Sequence, residues 1–201
     1  MTVPVDLGIG PAFHFITGPI QDDQSPHYGL KISLKAIITR EVIEQNKSKI
    51  PKKYRGMASK IDEARFSPSI FIPDTLFISP RFENTAMYGI SWRPIGLDLP
   101  LIKKPRLAIG IGLDLTYAYL DSDLKALGTT HFLRPGLDAK AEFEVPITDS
   151  FLISVGWMSV FYPPQKVGGG IFTWGELDES IWHLGQAFVQ LHFRFPYTTT
   201  L

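Results

Sequence analysis

Histidine, serine and aspartate are the residues of this sequence best suited to chemistry, because together they carry acyl transfer and hydrolysis. His14, Ser25 and His27 come together at one predicted hairpin tip, where a histidine could act as general base for the serine hydroxyl. Asp121 and Asp123 form an acidic pair in another predicted loop, without an aspartate–histidine pair beside them. We interpret both groups as solvated loop polarity, and we predict that the protein is not an enzyme.

Other kinds of chemical site are not indicated. The 201-residue chain contains no cysteine, which excludes a disulfide framework and thiolate metal sites. The glycine pairs Gly8/Gly10 and Gly110/Gly112 are not followed by a helix, as a phosphate loop would require. The 20 basic and 20 acidic residues balance, so charge does not indicate a nucleic-acid partner. We therefore predict no metal, no cofactor and no nucleic acid.

The elements that position these residues follow from an alternation of apolar and polar side chains, clearest over 105–121. Its odd positions from 107 to 119 are apolar or aromatic, whereas its even positions from 106 to 118 are small apart from Arg106 and Asp114. Only a β-strand separates two such sets, since a helix would mix them around its circumference. Seven further segments show the same pattern: 3–16, 28–39, 66–79, 86–94, 129–145, 151–162 and 181–195.

The strands predict a closed barrel. Their number is even, and most are longer than the 5–6 residues typical of soluble sheets. Pro73 and Asp74 interrupt 66–79 and predict a bulge there. We therefore predict an all-β fold, a closed eight-stranded antiparallel up-and-down transmembrane β-barrel over 1–195. Segment 40–65 is predicted to be a basic, partly helical periplasmic connection, and 196–201 a tail or the start of a linker.

The polar faces of the predicted strands carry small residues beside charges of both signs. This pattern suits a narrow barrel lumen better than a solvent-exposed face. Because unpaired charge in such a lumen is unfavourable, we expect a network that plugs it. A proton or ion path, or a gated pore, is the alternative. The predicted lumen residues are Asp6, Lys31, Lys35, Arg93, Arg106, Asp114, Arg134, Asp138, Lys140, Glu142, Glu144 and Arg194.

Aromatic residues fall in two belts when both chain ends are placed on the periplasmic side. Such belts are typical of transmembrane barrels, whereas a soluble lipocalin-like barrel would turn its apolar face inward. The upper belt consists of Phe13, Phe15, Tyr28, Tyr88, Tyr117, Tyr119 and Phe161. The lower belt consists of Trp92, Phe143, Phe151, Phe193 and Phe195.

The last predicted strand, 185–195, is amphipathic and ends in Phe195, so it resembles the C-terminal assembly signal of bacterial outer-membrane barrels. A tail after that strand resembles outer-membrane-protein-A-like proteins. This resemblance in architecture implies a Gram-negative outer membrane, contact with its lipid and lipopolysaccharide, and a structural role in the cell envelope. A narrow pore and a lipid-modifying enzyme are the alternatives. A lipid A deacylase would require a His-x-Ser pair, which none of the five histidines forms.

Segment 40–65 carries eight basic and four acidic residues, a net charge of +4. On the predicted topology it lies in the periplasm, where it is either a solvated loop or a surface for anionic headgroups or another envelope component. Residues 1–4 do not have the pattern of a secretory signal, so we expect the printed sequence to be that of a mature protein. We expect a monomer.

Overall fold

The computed structural model describes residues 2–17, 27–45, 47–49, 51–58, 63–67, 72–82, 85–103, 106–123, 129–166, 173–177 and 180–198. Its strands are β1 (Thr2–Thr17), β2 (His27–Thr39), β3 (Glu63–Ser67), β4 (Thr75–Phe82), β5 (Thr85–Lys103), β6 (Arg106–Ser122), β7 (Thr129–Pro146), β8 (Phe151–Lys166) and β9 (Ser180–Thr198). Two helices, α1 (Arg40–Gln45) and α2 (Lys52–Ala58), flank a short 3-10 turn, Lys47–Lys49. Among the residues that the structure describes, no helix is long and apolar enough to cross a membrane.

The strands form a closed antiparallel ring. β9 pairs with β1, and both β3 and β4 pair with β2 on one side and with β5 on the other. Nine strand segments therefore occupy eight positions, and the predicted eight-stranded barrel is confirmed. The interruption predicted at Pro73 and Asp74 separates β3 from β4. At this break the carbonyl oxygen of Asp74 still accepts a hydrogen bond from Ile32 N, and its N–H group donates one to Ser91 O, both at 2.8 Å.

The strand register shows how strongly the strands tilt. A line of paired residues starts at Val5 and runs through Ala36, Phe66, Leu97, Ile111, Ala139, Ser159 and Gly185 back to β1 at Phe15. The line returns ten residues further along β1, which is the shear of the barrel. With ordinary strand spacings, eight strands and this shear correspond to a tilt of about 40°.

Three strands are longer than predicted. β5, predicted over 86–94, continues to Lys103. β8 continues to Lys166 and β9 to Thr198, where it pairs with Thr2 at the start of β1. The prediction stopped β5 at residue 94 because a bulge between Trp92 and Ile95 reverses the alternation. β3 begins at Glu63, inside the segment predicted to be a connection.

Apolar side chains cover the outside of the barrel. Ile111 is 66% exposed and Leu137 63% exposed, far more than water-soluble proteins allow for residues in one continuous band. All backbone groups of a closed sheet are paired within the barrel, which is what hydrocarbon surroundings require. We therefore treat the strands as membrane-spanning.

The aromatic residues predicted for the two belts lie on this outer face. The end that carries the chain termini is called here the terminus end, and the opposite end the loop end. The residues predicted for the upper belt lie toward the loop end, and Phe143, Phe151, Phe193 and Phe195 toward the terminus end. Trp92 was placed in the lower belt incorrectly. Because β5 continues to Lys103, Trp92 lies well inside that strand and nearer to the loop end.

Candidate functional site in the barrel interior

The interior of the barrel has two layers of different chemistry. The layer toward the terminus end is charged, and the layer toward the loop end is mainly apolar, with His14, Thr75 and Gln186 as buried polar neighbours. The charged layer consists of Asp6, Lys31, Lys35, Glu63, Arg65, Asp74, Arg93, Asp98, Arg106, Asp114, Asp138, Lys140, Glu142, Glu144, Arg194 and the imidazole of His192. The apolar layer consists of Ala12, Phe77, Met87, Ala118, Leu120, Phe132, Met158, Val160, Tyr162, Ile181, Leu184 and Phe188.

An ion pair joins opposite walls of the barrel in the charged layer. Lys35 on β2 and Glu142 on β7 occupy positions four strands apart in the ring of eight, and Lys35 Nζ lies 2.8 Å from Glu142 Oε2. Lys140 Nζ lies 3.1 Å from the same carboxylate oxygen. Both lysines also contact Asp98 Oδ2, at 3.5 and 2.6 Å. The centre of the lumen at this level is therefore occupied by side chains.

Arg93 extends this network toward the middle of the barrel. Its Nε and Nη2 atoms lie 3.0 and 2.9 Å from Asp138 Oδ1, and its Nη1 atom donates to Asp98 Oδ1 at 3.2 Å. Gly112 makes room for this arrangement, since a Cβ atom there would collide with the Asp138 carboxylate and with Arg93 Nε. The small residues of the polar face thus accommodate the large charged ones.

A second group of ion pairs lies at the terminus end. Arg65 binds Glu144 with both terminal nitrogens and also contacts Glu63 at 3.0 Å. Arg106 contacts the same two carboxylates, with its Nε atom 3.0 Å from Glu144 Oε2. Arg65 is buried, whereas Glu63 and Arg106 are half-buried. These contacts join β3, β6 and β7 across the opening of the barrel.

Two residues that were predicted to form ion pairs in the network do not contact opposite charges in the charged layer. Asp114 is buried but contacts no cationic group among the described residues, because its carboxylate accepts from the hydroxyls of Ser91 and Thr116. Arg134 lies toward the loop end, away from the acidic residues. Its guanidinium stacks 4.3 Å from the Trp174 ring centre and donates to the Thr173 carbonyl at 2.9 Å.

The prediction missed four charged residues of the interior: Glu63, Arg65, Asp74 and Asp98. Asp74 binds Lys31 from the break between β3 and β4. The predicted interior residues comprise seven basic and five acidic ones. With these four added, the described part of the interior contains eight of each. Asp98 could have been found, because 95–101 alternates with apolar residues at odd positions once the bulge is allowed for. The other three lie in segments without clear alternation.

The interior also contains a serine–histidine–aspartate arrangement. His192 Nε2 lies 2.8 Å from Ser154 Oγ, and His192 Nδ1 lies 2.7 Å from Asp6 Oδ1. These contacts have the connectivity of a hydrolase triad. However, all three side chains are buried, Glu142 Oε1 lies 3.3 Å from the same Nε2 atom, and Arg194 binds Asp6. Ser154 does not line either of the two interior cavities described below.

The interpretation of His14 and His27 as solvated loop residues was wrong. Both are buried inside the barrel, opposite each other on β1 and β2. His14 packs edge-on against Phe77 at 4.7 Å and lies 3.2 Å from Gln186 Nε2. Ser25, the third member of that group, lies outside the described residues. The side chain of His14, near the end of β1, thus belongs to the interior rather than to a loop.

The predicted acidic pair at the loop end is held by Arg81, whose terminal nitrogens lie 2.7 Å from Asp121 and 2.6 Å from Asp123. All three side chains are exposed, so this cluster is part of the solvated rim. Exposed ion pairs of this kind contribute little to stability.

Little empty space remains between the interior side chains. One cavity of about 10 Å³ lies beside Lys31, Lys35 and Arg93. Another of about 10 Å³ lies in the apolar layer beside Phe132 and Tyr162. A single water molecule needs a volume of about this size.

Comparisons with known proteins give a limited result. No family model matches the chain, and no curated protein matches it. Among solved structures, Neisserial surface protein A (NspA) is similar with 11% identity, a TM-score of 0.49, and coverage of 95% of this chain and 97% of that chain. Ail, the attachment invasion locus protein of Yersinia pestis, is similar with 12% identity, a TM-score of 0.46, and coverage of 97% and 100%. At these values the likeness says nothing about activity.

The barrel itself provides the stronger argument for location. Closed pairing, a charged interior, an apolar outer band and aromatic belts at both ends together define outer-membrane barrels. The protein is accordingly a β-barrel of the bacterial outer membrane.

Proposed function

We propose that this protein is a non-conducting barrel with a structural, anchoring role in the outer membrane. The observation that carries the proposal is the contact between Lys35 and Glu142, which joins opposite walls of the lumen at 2.8 Å. A water column could pass this level only if both side chains moved aside. Each would then leave a buried partner without its counter-charge, which is strongly unfavourable.

The apolar layer gives independent support. Its members Leu120, Phe132 and Phe188 are almost fully buried, and they lie between the charged layer and the loop end. An ion crossing this layer would lose most of its hydration against apolar side chains, and apolar constrictions of this kind exclude water.

The burial of Ser154 favours a structural role over an enzymatic one. A nucleophile must reach a substrate carbonyl, and the oxyanion that forms needs donors positioned beside it. Ser154 is surrounded by interior side chains, and His192 is shared with Glu142. We therefore propose that the three residues form a structural hydrogen-bonded chain that holds β1, β8 and β9 together.

Planar-bilayer recording of the refolded protein tests the closed lumen. We expect no stepwise conductance from the unmodified protein. The double variant Leu120→Ala, Phe132→Ala should also remain closed, because its charged layer still blocks the lumen. Combining it with Lys35→Ala and Glu142→Ala should produce conductance, since both layers are then opened. Regular conductance steps from the unmodified protein would contradict the proposal and favour a pore.

The anchoring role requires a test in cells. Deletion of the gene should increase the permeability of the outer membrane to detergents, and a plasmid copy of the unmodified gene should return the permeability to its original low value. A plasmid copy with Ser154→Ala should do so equally well, because no serine chemistry is involved. Unchanged permeability after deletion would contradict the anchoring role while leaving the closed lumen untouched.

A further inference from the structure

A basic surface at the terminus end remains unexplained by the closed barrel. It is formed by residues 40–58, called here the basic segment. α1 begins at Arg40, immediately after β2 ends at Thr39, and the chain re-enters the barrel at Glu63. Val42 and Ile43 of α1 are buried. α1 is therefore packed against the rim of the barrel, and both ends of the basic segment lead into membrane-spanning strands.

The charge of the basic segment is strongly one-sided. It contains six basic residues and two acidic ones: Arg40, Lys47, Lys49, Lys52, Lys53 and Arg55 against Glu41 and Glu44. One of the acidic residues, Glu44, is already engaged by Lys47 at 3.0 Å. Lys52 and Lys53 on α2 are exposed. The charges of Lys52 and Lys53 therefore face outward from the protein.

Tyr54 adds a feature that a simply solvated loop does not need. Its side chain is 46% exposed, and the ammonium group of Lys53 lies 4.6 Å from its ring centre. Tyrosine is enriched where one part of the ring contacts apolar groups and the hydroxyl contacts water, as at a membrane surface. A tyrosine beside lysines in a short helix is the composition of interfacial segments.

We propose that the basic segment binds the anionic phospholipid headgroups of the leaflet at the terminus end. The strands on both sides of the segment cross the membrane, so headgroups surround it at high effective concentration. Each lysine or arginine near an anionic surface increases affinity by about fivefold. The charge, the aromatic ring and the tethering of both ends all favour a lipid surface over a soluble partner.

Fluorescence of a single labelled cysteine tests this proposal on the full chain. The protein contains no cysteine, so Ser48→Cys places one label on the exposed face of the basic segment. The refolded protein is placed in nanodiscs of phosphatidylcholine alone or with phosphatidylglycerol added. Quenching by acrylamide, which is uncharged, reports how far water reaches the label. We expect protection in the anionic discs only, and its loss in about 1 M salt.

A second label and two charge variants provide the controls. Ser150→Cys places a label in the turn between β7 and β8, also at the terminus end, and its quenching should not depend on the lipid. Replacing Lys52, Lys53 and Arg55 by Gln should lower the affinity for the anionic surface by about a hundredfold, three factors of about five. Half protection should then need a higher phosphatidylglycerol content than in the unmodified protein. The opposite change, Glu41→Gln, should reduce that content.

Equal protection of Ser48→Cys in both kinds of disc would overturn the proposal, because charge would then not be involved. Absence of protection in both would overturn it as well. Sedimentation with purified peptidoglycan, lost in the triple glutamine variant, would in that case identify an envelope polymer as the partner. None of these results depends on whether the lumen conducts ions.

Discussion

The interior network predicts losses of stability of different size for two buried aspartates. Asp138 accepts from Arg93 at 3.0 and 2.9 Å, whereas Asp114 accepts from two hydroxyl groups. Asp138→Asn keeps the shape of the side chain but removes the counter-charge of a buried guanidinium. Loss of one partner of a buried pair costs about 3–5 kcal/mol. Because Arg93 retains Asp98 and the Ile111 carbonyl, we expect a loss near the lower end, about 3 kcal/mol.

For Asp114→Asn we expect a loss of about 1 kcal/mol or less, since the amide oxygen still accepts from one hydroxyl and no bound cation loses its partner. Urea unfolding of the refolded protein in lipid vesicles measures both values, provided that the slope with denaturant is the same for both variants. Arg93→Met combined with Asp138→Asn should be less unfavourable than the sum of the two single changes. Equal losses for Asp114→Asn and Asp138→Asn would refute the assignment of ion-pair partners.

Four further predictions concern the rest of the barrel. The protein should require detergent, and its gel mobility should change on boiling, whereas a monodisperse species in plain buffer would contradict the membrane location. Gly112→Val should lower stability by about 1–3 kcal/mol through overpacking against Arg93, while Gly56→Ala, where nothing lies within 4 Å of the added Cβ atom, should have little effect on unfolding. Leu137→Arg should lower the stability of the barrel by about 2–4 kcal/mol, because that side chain faces hydrocarbon, and unchanged stability would contradict this position. A fluorophosphonate probe should label the native protein and Ser154→Ala equally weakly, and labelling that depends on Ser154 would revive the enzymatic alternative.

Alternation of side chains was sufficient to predict the barrel because each strand separates lipid from interior. The segment 105–121 corresponds closely to β6, and its even residues point inward as predicted. Where the backbone departs from regular alternation, the prediction failed. The bulge after Trp92 moved Asp98 to the interior. An irregularity between Phe161 and Gln165 lies beside Ile181, which is buried although the odd residues later in the same strand, such as Val189 and Leu191, face outward.

The partners within the interior were less predictable than its members. Strand phase gives the direction of a side chain but not its height, and the tilt of about 40° brings residues of distant strands to one level. Arg134 and Asp138 have the same phase on one strand, yet only Asp138 reaches the charged layer. The apolar layer was not predicted either. Near the loop end both faces of several strands are apolar, so the pattern does not reveal a change of interior chemistry.

The distance along the chain between ion-pair partners has a consequence for folding. Lys35 and Glu142 are 107 residues apart, and Asp6 and Arg194 are 188 apart. Contacts so distant form late and slowly, because the intervening chain must be ordered first. No hairpin of this barrel can satisfy the interior charges by itself. The pairing of β1 with β9 and the neutralisation of the charged layer should therefore occur together, as a single cooperative step at the end of assembly.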